Sequence, residues 1–257
     1  MNNSVLKFKK NGIVTLPSFF NKEYCEKSIN DIEHAILKYP DKLYSQKAEG
    51  TGGDIRFFKF ENKYETAKVL FDNEEINSIV KDYSKKDVVC HFIVAGKVIA
   101  DKGQTINSGG GWHRDSDSQQ IKVMIYLNDV GNENGPFQFI KESKKRDAKR
   151  STNFIFNLDT LKKFLRGNPL KNPRYSDESI EKEIENKKFK VSQVEGEAGT
   201  TIIFDGSYVH RGKNISDGVR YSYTMYFYPN TKKYLKHTDK RLSKVSLWIE
   251  NNIKWIC

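Results

Sequence analysis

Hydrophobic residues in the first forty positions predict a short strand followed by an amphipathic helix. The apolar stretch between residues 5 and 19 is centred on Gly12–Leu16, so we expect a short strand region that ends at Pro17. Asn21 is a candidate N-cap for the helix after it, and Pro40 stops that helix. Its apolar stripe has helical spacing and consists of Cys25, Ile29, Ile32 and Ile36.

The next segment mixes a strand with two helices. Residues 45–54 form a glycine-rich loop, and Ile55–Phe60 has the aromatic composition of a strand. Helical spacing predicts helices near 64–71 and 74–83, the second with Ile76, Ile79 and Val80 on one face.

From Val88 onward the pattern becomes that of β structure. Residues 88–100 are apolar and β-branched, and residues 121–127 alternate apolar and more polar side chains, which predicts a half-buried strand. Further strands are predicted at 137–140, 199–204 and 219–228, with turn signals between them.

Residues 141–190 interrupt this β pattern with a polar, lysine-rich segment. Helices are predicted near 157–166 and 177–187, and again in the tail 230–257. The segment is interpreted as an insertion between two core strands, either a mobile cover over a site or a surface decoration. Without repeats or low-complexity linkers, residues 1–257 are expected to form a single domain.

Composition narrows the class of protein. The formal net charge is +11, but the 44 Lys and Arg residues are spread along the chain, which favours a solvated surface over a nucleic-acid stripe. Three cysteines without a CxxC pair argue against a disulfide framework or a zinc-thiolate site. We expect a cytoplasmic protein, because no signal peptide or apolar run of about 18 residues is present.

The candidate chemistry begins at three glycines, Gly109–Gly111, followed by Trp112, His113, Arg114 and Asp115. In an extended segment the side chains of His113 and Asp115 point to the same side. Two histidines and one carboxylate form the facial triad of non-haem Fe(II) oxygenases, and His210 is the best candidate for the third ligand. Such a site leaves positions free for a bidentate co-substrate and O₂.

A second signal lies ten residues after His210. On a strand, Arg220, Ser222 and Thr224 share one face. A guanidinium binds a carboxylate bidentately, so Arg220 and Ser222 are candidates for the distal carboxylate of 2-oxoglutarate, with its 2-oxo acid end on iron.

Together these motifs make the chain resemble the phytanoyl-CoA dioxygenase family of Fe(II)/2-oxoglutarate oxygenases. The matching pieces are Gly12–Pro17, Trp112–Asp115, Tyr126–Val130, Glu133–Phe137, Gly199–Phe204, His210–Gly212 and Arg220–Ser222. The resemblance implies a mainly β protein with flanking helices around a double-stranded β-helix (jelly-roll, cupin-like) core. It assigns iron to His113, Asp115 and His210, and 2-oxoglutarate to Arg220 with Ser222.

The resemblance also implies a reaction: hydroxylation of a substrate C–H bond, with release of succinate and CO₂. Related halogenases have a small residue where this chain has Asp115, so hydroxylation is the expected outcome. One departure is Lys141–Ser143, where many relatives have a Pro-Gly-Ser-His segment. That difference puts the choice of substrate in doubt.

Candidate contacts around the iron include further aromatic and basic residues. Trp112 and Lys122 are candidates for the 2-oxoglutarate pocket, and Arg56, Arg114 and Arg211 are candidates for the substrate. The alternative for Trp112 is core packing, and for Arg114 and Arg211 it is structural ion pairing. The basic residues suggest an anionic small molecule as the substrate. Two other functions stay open: a non-catalytic jelly-roll binding protein, and an oxygenase of this class that acts on a macromolecule.

Overall fold

The computed structural model describes residues 3–46, 53–84, 86–100, 111–116, 118–144, 175, 177–187 and 190–230. The helices are α1 (Asn3–Asn11), α2 (Lys22–Lys38), α3 (Glu65–Lys68), α4 (Glu74–Tyr83) and α5 (Asp177–Lys187). The strands are β1 (Ile13–Leu16), β2 (Tyr44–Gln46), β3 (Gly53–Phe58), β4 (Val88–Ile99), β5 (Ile121–Tyr126), β6 (Phe137–Ile140), β7 (Val191–Val194), β8 (Thr201–Asp205), β9 (His210–Gly212) and β10 (Val219–Pro229). Short 3-10 turns occupy Phe60–Asn62, Val69–Asp72 and Lys141–Lys144.

The described strands form two antiparallel sheets. The larger has seven strands in the order β1-β8-β5-β10-β4-β3-β2, and the smaller has three in the order β7-β6-β9. Strands distant in sequence lie side by side, as β1 with β8 and β5 with β10. This mainly β architecture with flanking helices is the double-stranded β-helix expected from the sequence.

Alternation along β5 and β10 gives the large sheet two different faces. One face carries Val123, Ile125, Tyr223 and Met225, all buried in the largest hydrophobic cluster. The other carries Lys122, Met124, Arg220, Ser222, Thr224 and Tyr226, which line a cavity. Because side chains alternate between the faces of a strand, the same two strands build the core and the site.

The helices α1, α2 and α4 cover the apolar face of the large sheet. They contribute residues to the same hydrophobic cluster, among them Phe8, Ile32 and Ile79. The predicted N-cap is confirmed, since the Asn21 side chain accepts a hydrogen bond from the Tyr24 amide in α2. Asn73 caps α4 in the same way through the Ile76 amide. Each such cap stabilises a helix by about 1 kcal/mol.

On the outer side of the small sheet, Trp112 packs with Ile140, Val209 and Ile180 of α5. The helix predicted near 177–187 is confirmed as α5. The predicted helices at 157–166 and 230–257 lie outside the described residues. The single-domain organisation stays a prediction.

Other sequence expectations were incomplete. The first part of the predicted strand region is α1, because Val5 and Phe8 lie one helical turn apart and are buried together. Strand β2 overlaps the start of the expected loop, and β7, which was not predicted, begins directly after the expected insertion. Among the helices within the described ranges, none has the length and apolar character needed to cross a membrane.

Gly199 provides a test of the packing between the chain start and the large sheet. Its φ is 85°, and an added Cβ would lie 1.8 Å from the Phe20 carbonyl oxygen. We expect Gly199→Ala to lower the free energy of unfolding by about 2–4 kcal/mol, measured by urea denaturation. The control is Gly53→Ala, where the nearest atom is 3.7 Å away and a change within about 0.5 kcal/mol is expected. Equal unfolding midpoints for the two variants would contradict this account.

Candidate metal centre

Backbone hydrogen bonds bring the two predicted halves of the metal site together. The His113 amide donates to the His210 carbonyl and the His210 amide donates to the His113 carbonyl, each at 3.0 Å. This isolated antiparallel bridge places the segment around His113 beside β9. The two histidines therefore face each other, with ring centroids 4.4 Å apart.

A turn after β8 holds the carboxylate. The Asp115 amide donates to the Gly206 carbonyl at 2.9 Å, and the Gly206 amide donates to the Gln120 carbonyl at 2.7 Å. A Cβ on Gly206 would lie only 2.3 Å from Asp115 Oδ2. Glycine at this position therefore makes room for the carboxylate.

The two imidazole rings are oriented by neighbouring carbonyls. Nδ1 of His113 lies 3.0 Å from the Gly111 carbonyl oxygen, and Nδ1 of His210 lies 2.9 Å from that of Tyr208. A carbonyl only accepts, so each Nδ1 carries a proton, and Nε2 is the atom of each ring that can bind a metal. Such partners fix the tautomer and orientation of metal-binding histidines.

The ligand atoms of His113, Asp115 and His210 all lie within 4.8 Å of one another. Asp115 Oδ2 is buried and has no hydrogen-bond partner among the described residues. It lies 3.3 Å from His210 Nε2. Two imidazoles and one carboxylate without a thiolate suit non-haem Fe(II), so the residues present fit an iron ion.

The electrostatic environment of this cluster favours the ionised form of the Asp115 carboxylate. Burial alone raises the pKa of Asp115, but Lys122, His210 and His113 outweigh it and hold that pKa well below its ordinary value. Lys122 Nζ lies 2.7 Å from Asp115 Oδ1. Burial alone lowers the pKa of Lys122, but Asp115 outweighs it and raises that pKa, so Lys122 stays an ammonium.

A cavity of about 460 Å³ opens beside the cluster. That volume is within the ~300–1,000 Å³ range of small-molecule sites. Its wall includes all three triad residues and the face of β10 that carries Arg220, Ser222, Thr224 and Tyr226. The structure therefore brings the predicted 2-oxoglutarate residues into the same cavity as the predicted metal ligands.

Arg220 is buried in this wall, with 6% of its surface exposed. Its Nη1 donates to the Gly135 carbonyl, whereas its Nε has no hydrogen-bond partner among the described residues. Burial lowers its pKa, and Tyr126 and Asp54 act in the opposite direction. A guanidinium stays charged in proteins, so a buried cation with an unused donor lines the cavity.

Arg56 also lines the cavity, on the neighbouring strand β3. Its Nε and Nη2 donate to the buried Asp54 carboxylate at 3.0 and 3.1 Å. Gly96 lies between Arg56 and Ser222 in the sheet register. The absence of a side chain at Gly96 keeps this part of the cavity open.

Three other candidate residues have structural partners. Trp112 is buried in the hydrophobic cluster under α5. Arg114 donates to the Ser207 and Ser143 carbonyls and to the Tyr175 hydroxyl. Arg211 donates to Gln138 and Asp177, and its guanidinium carbon lies 4.3 Å from the centre of the Trp112 ring. These contacts favour the structural alternatives for all three.

Sequence reasoning missed Asp205, which organises the turn that carries the ligands. Its Oδ1 accepts from Ser207 N, Ser207 Oγ and Gln120 N, and its Oδ2 accepts from Tyr83 Oη and Lys144 Nζ. An aspartate that caps the amide two residues later is a recognised turn signal. The Asp-Gly pair between a strand and His210 could have indicated this role.

A model of the phytanoyl-CoA dioxygenase (PhyH) family matches residues 8–222. The chain belongs to this family. As a PhyH member with a His-Asp-His cluster, it is an iron- and 2-oxoglutarate-dependent enzyme. No curated protein matches the sequence significantly.

Several solved structures share the PhyH fold at low sequence identity. The carbocyclase SnoK from nogalamycin biosynthesis is 15% identical with a TM-score of 0.65, covering 95% of this chain and 90% of SnoK. The epimerase SnoN, in complex with Fe³⁺, α-ketoglutarate and nogalamycin RO, is 13% identical with a TM-score of 0.63, covering 89% and 83%. HygX from Streptomyces hygroscopicus, with nickel and 2-oxoglutarate bound, is 13% identical with a TM-score of 0.59, covering 90% and 87%.

A substitution at Gly206 tests the metal site without replacing any of the three ligand residues. We expect Gly206→Ala to weaken Fe(II) binding about 10–100-fold, because the added Cβ displaces the Asp115 carboxylate. Anaerobic isothermal titration calorimetry measures this affinity. The control is Gly131→Ala, where the nearest atom is 3.7 Å away. Wild-type iron affinity in Gly206→Ala would contradict the account that glycine at this position makes room for the metal-binding carboxylate.

Proposed function

We propose that this PhyH protein hydroxylates a C–H bond of an anionic small molecule and converts 2-oxoglutarate to succinate and CO₂. The observation that carries the proposal is the shared cavity, whose wall contains the His-Asp-His cluster and the buried Arg220. A facial triad together with a cation for a dicarboxylate supports binding of both cofactors at one place.

In this proposal, His113 Nε2, His210 Nε2 and an oxygen of Asp115 hold the iron. The bound iron and 2-oxoglutarate supply the oxidising chemistry with O₂. The protein's contribution is to fix the ligand geometry: the Gly111 and Tyr208 carbonyls hold the rings, and the turn at Gly206 holds the carboxylate.

Arg220 and Ser222 bind the distal carboxylate of 2-oxoglutarate in this proposal. Arg220 brings a positive charge and an Nε donor without a partner among the described residues, and Ser222 is its neighbour on the same face of β10. A carboxylate there would relieve the cost of a buried, incompletely paired guanidinium. The 2-oxo acid end would be left for the metal at the triad, which lines the same cavity.

Asp115 supports hydroxylation as the outcome, because its carboxylate takes the metal position that a halide needs in related halogenases. The neighbouring structures include an epimerase and a carbocyclase, so the fold by itself permits other outcomes. The nature of the product therefore has to be measured directly.

A charge count supports an anionic substrate. Arg56 is paired with Asp54, and Arg220 is assigned to the distal carboxylate. The two charges of iron are balanced by Asp115 and the chelating carboxylate. With Lys122 and Arg114 also in the cavity wall, at least one positive charge remains in excess. A buried net charge is costly, so a substrate with an anionic group is the better complement.

Cofactor binding is tested by anaerobic titration of Fe(II) and 2-oxoglutarate, followed by visible absorption. We expect a metal-to-ligand charge-transfer band in the wild-type protein and no band in His113→Ala. Arg220→Met should require about 10–100-fold more 2-oxoglutarate, because a charged hydrogen bond is lost. Pyruvate, which has no distal carboxylate, serves as the control and should bind both proteins equally. A wild-type protein without the band would contradict the proposal.

The reaction is tested with a panel of phosphorylated, nucleotide-linked and carboxylic compounds, matched to neutral analogues. We expect succinate formation above background only with anionic members, and a product that has gained one oxygen atom. Mass spectrometry of the product separates this result from epimerisation, which leaves the mass unchanged, and from cyclisation, which removes two hydrogens. Activity with neutral analogues alone would contradict the anionic assignment.

A further inference from the structure

The two oxygens of Asp115 have different surroundings. Oδ1 lies 2.7 Å from Lys122 Nζ and 3.8 Å from His113 Nε2. Oδ2 lies 3.3 Å from His210 Nε2 and has no hydrogen-bond partner among the residues described. Oδ1 is therefore held by an ammonium on the side of His113, and Oδ2 is left beside the His210 imidazole.

We propose that Lys122 is a positioning residue that holds Oδ1 of Asp115 and leaves Oδ2 as the single oxygen for the metal. The inference rests on the proposed function in taking His113, Asp115 and His210 as metal ligands. It goes further because it assigns a role to a residue outside the triad, and it replaces the expectation that Lys122 contacts 2-oxoglutarate.

The ammonium is itself held in place. Lys122 lies on β5, with Phe204 and Tyr226 as its partners on the adjacent strands, and only 8% of its surface is exposed. Its Nζ lies 4.6 Å from the centre of the Tyr226 ring. That ring stacks on Phe92 with centroids 4.7 Å apart. A cation–π contact and a buried stem both restrict where the ammonium can move.

Holding one oxygen matters for the number of free metal positions. A triad that binds through three atoms leaves three positions, which suits a bidentate 2-oxo acid and O₂. If Oδ1 were released, the carboxylate could bind through both oxygens and occupy one of those positions. Lys122 would in this way keep a position open for 2-oxoglutarate without contacting it.

The ammonium also affects metal binding through its charge. A positive charge beside the carboxylate opposes a divalent cation. Removing it should therefore leave metal affinity equal or higher, even though binding of 2-oxoglutarate becomes weaker. A residue that merely supports the fold is not expected to weaken 2-oxoglutarate binding while leaving metal binding intact or stronger.

The experiment compares Lys122→Met, Lys122→Arg and the wild-type protein. Binding of Mn(II) alone is measured by calorimetry, and 2-oxoglutarate is then titrated anaerobically into the Fe(II) protein with visible absorption. The matched control is Lys97→Met. Lys97 lies on the opposite face of the large sheet, and its Nζ forms an ion pair with Glu33 at 2.6 Å. Lys97 is 17% exposed in its side chain, close to the 11% of Lys122.

For Lys122→Met we expect Mn(II) affinity at or above the wild-type value, 2-oxoglutarate affinity lowered about tenfold, and a displaced charge-transfer band. Lys122→Arg keeps a cationic donor and should retain the wild-type band, as should Lys97→Met. Wild-type behaviour of Lys122→Met would overturn the inference.

Two further outcomes would also overturn it. Weaker 2-oxoglutarate binding in Lys122→Met with an unmoved band would instead indicate direct contact with 2-oxoglutarate. An equal band displacement in Lys122→Arg and Lys122→Met would indicate packing. If the wild-type protein binds neither Mn(II) nor Fe(II), the proposed function itself fails, which separates the two results.

Discussion

The reciprocal hydrogen bonds between the His113 and His210 backbones are the constraint on which the site depends. They join a loop segment to a three-residue strand, although the two are far apart in the sequence. Because these two hydrogen bonds fix both main chains, they also fix the positions from which the two imidazole side chains extend. The Asp115 carboxylate is positioned by the same segment, since the Asp115 amide donates a hydrogen bond to the turn that leads into β9.

Strand alternation explains why the cavity and the core are inseparable. In β10, Tyr223 and Met225 pack against the helices, and the intervening Ser222 and Thr224 face the cavity. A shift of one residue in the register would exchange these two sets. The long pairing of β10 with β4 therefore stabilises the fold and places Arg220 at the same time.

Local patterns carried the successful sequence predictions. The alternation in β5, the capping residue Asn21 and the His113–Asp115 spacing are each set by neighbours in the chain, so they could be read from the sequence. Strand β9 could not, because three residues form a strand only when β6 supplies the partner. Helix α1 was mistaken for a strand, since Val5 and Phe8 are equally compatible with a buried strand until their packing is known.

Side-chain partners explain the rest of the difference between sequence and structure. Nothing near Arg114 in the sequence indicates that it reaches the carbonyls of Ser143 and Ser207, and the same holds for Lys122 and Asp115. The basic residues that looked alike in the sequence thus have different partners, and Arg114 lines the cavity in addition to making its structural contacts. Solved structures with this fold include an epimerase and a carbocyclase at identities of 13–15%, so the fold alone does not set the product. The outcome must depend on the remaining wall of the cavity, which in this chain includes Arg56, Met124 and Thr224.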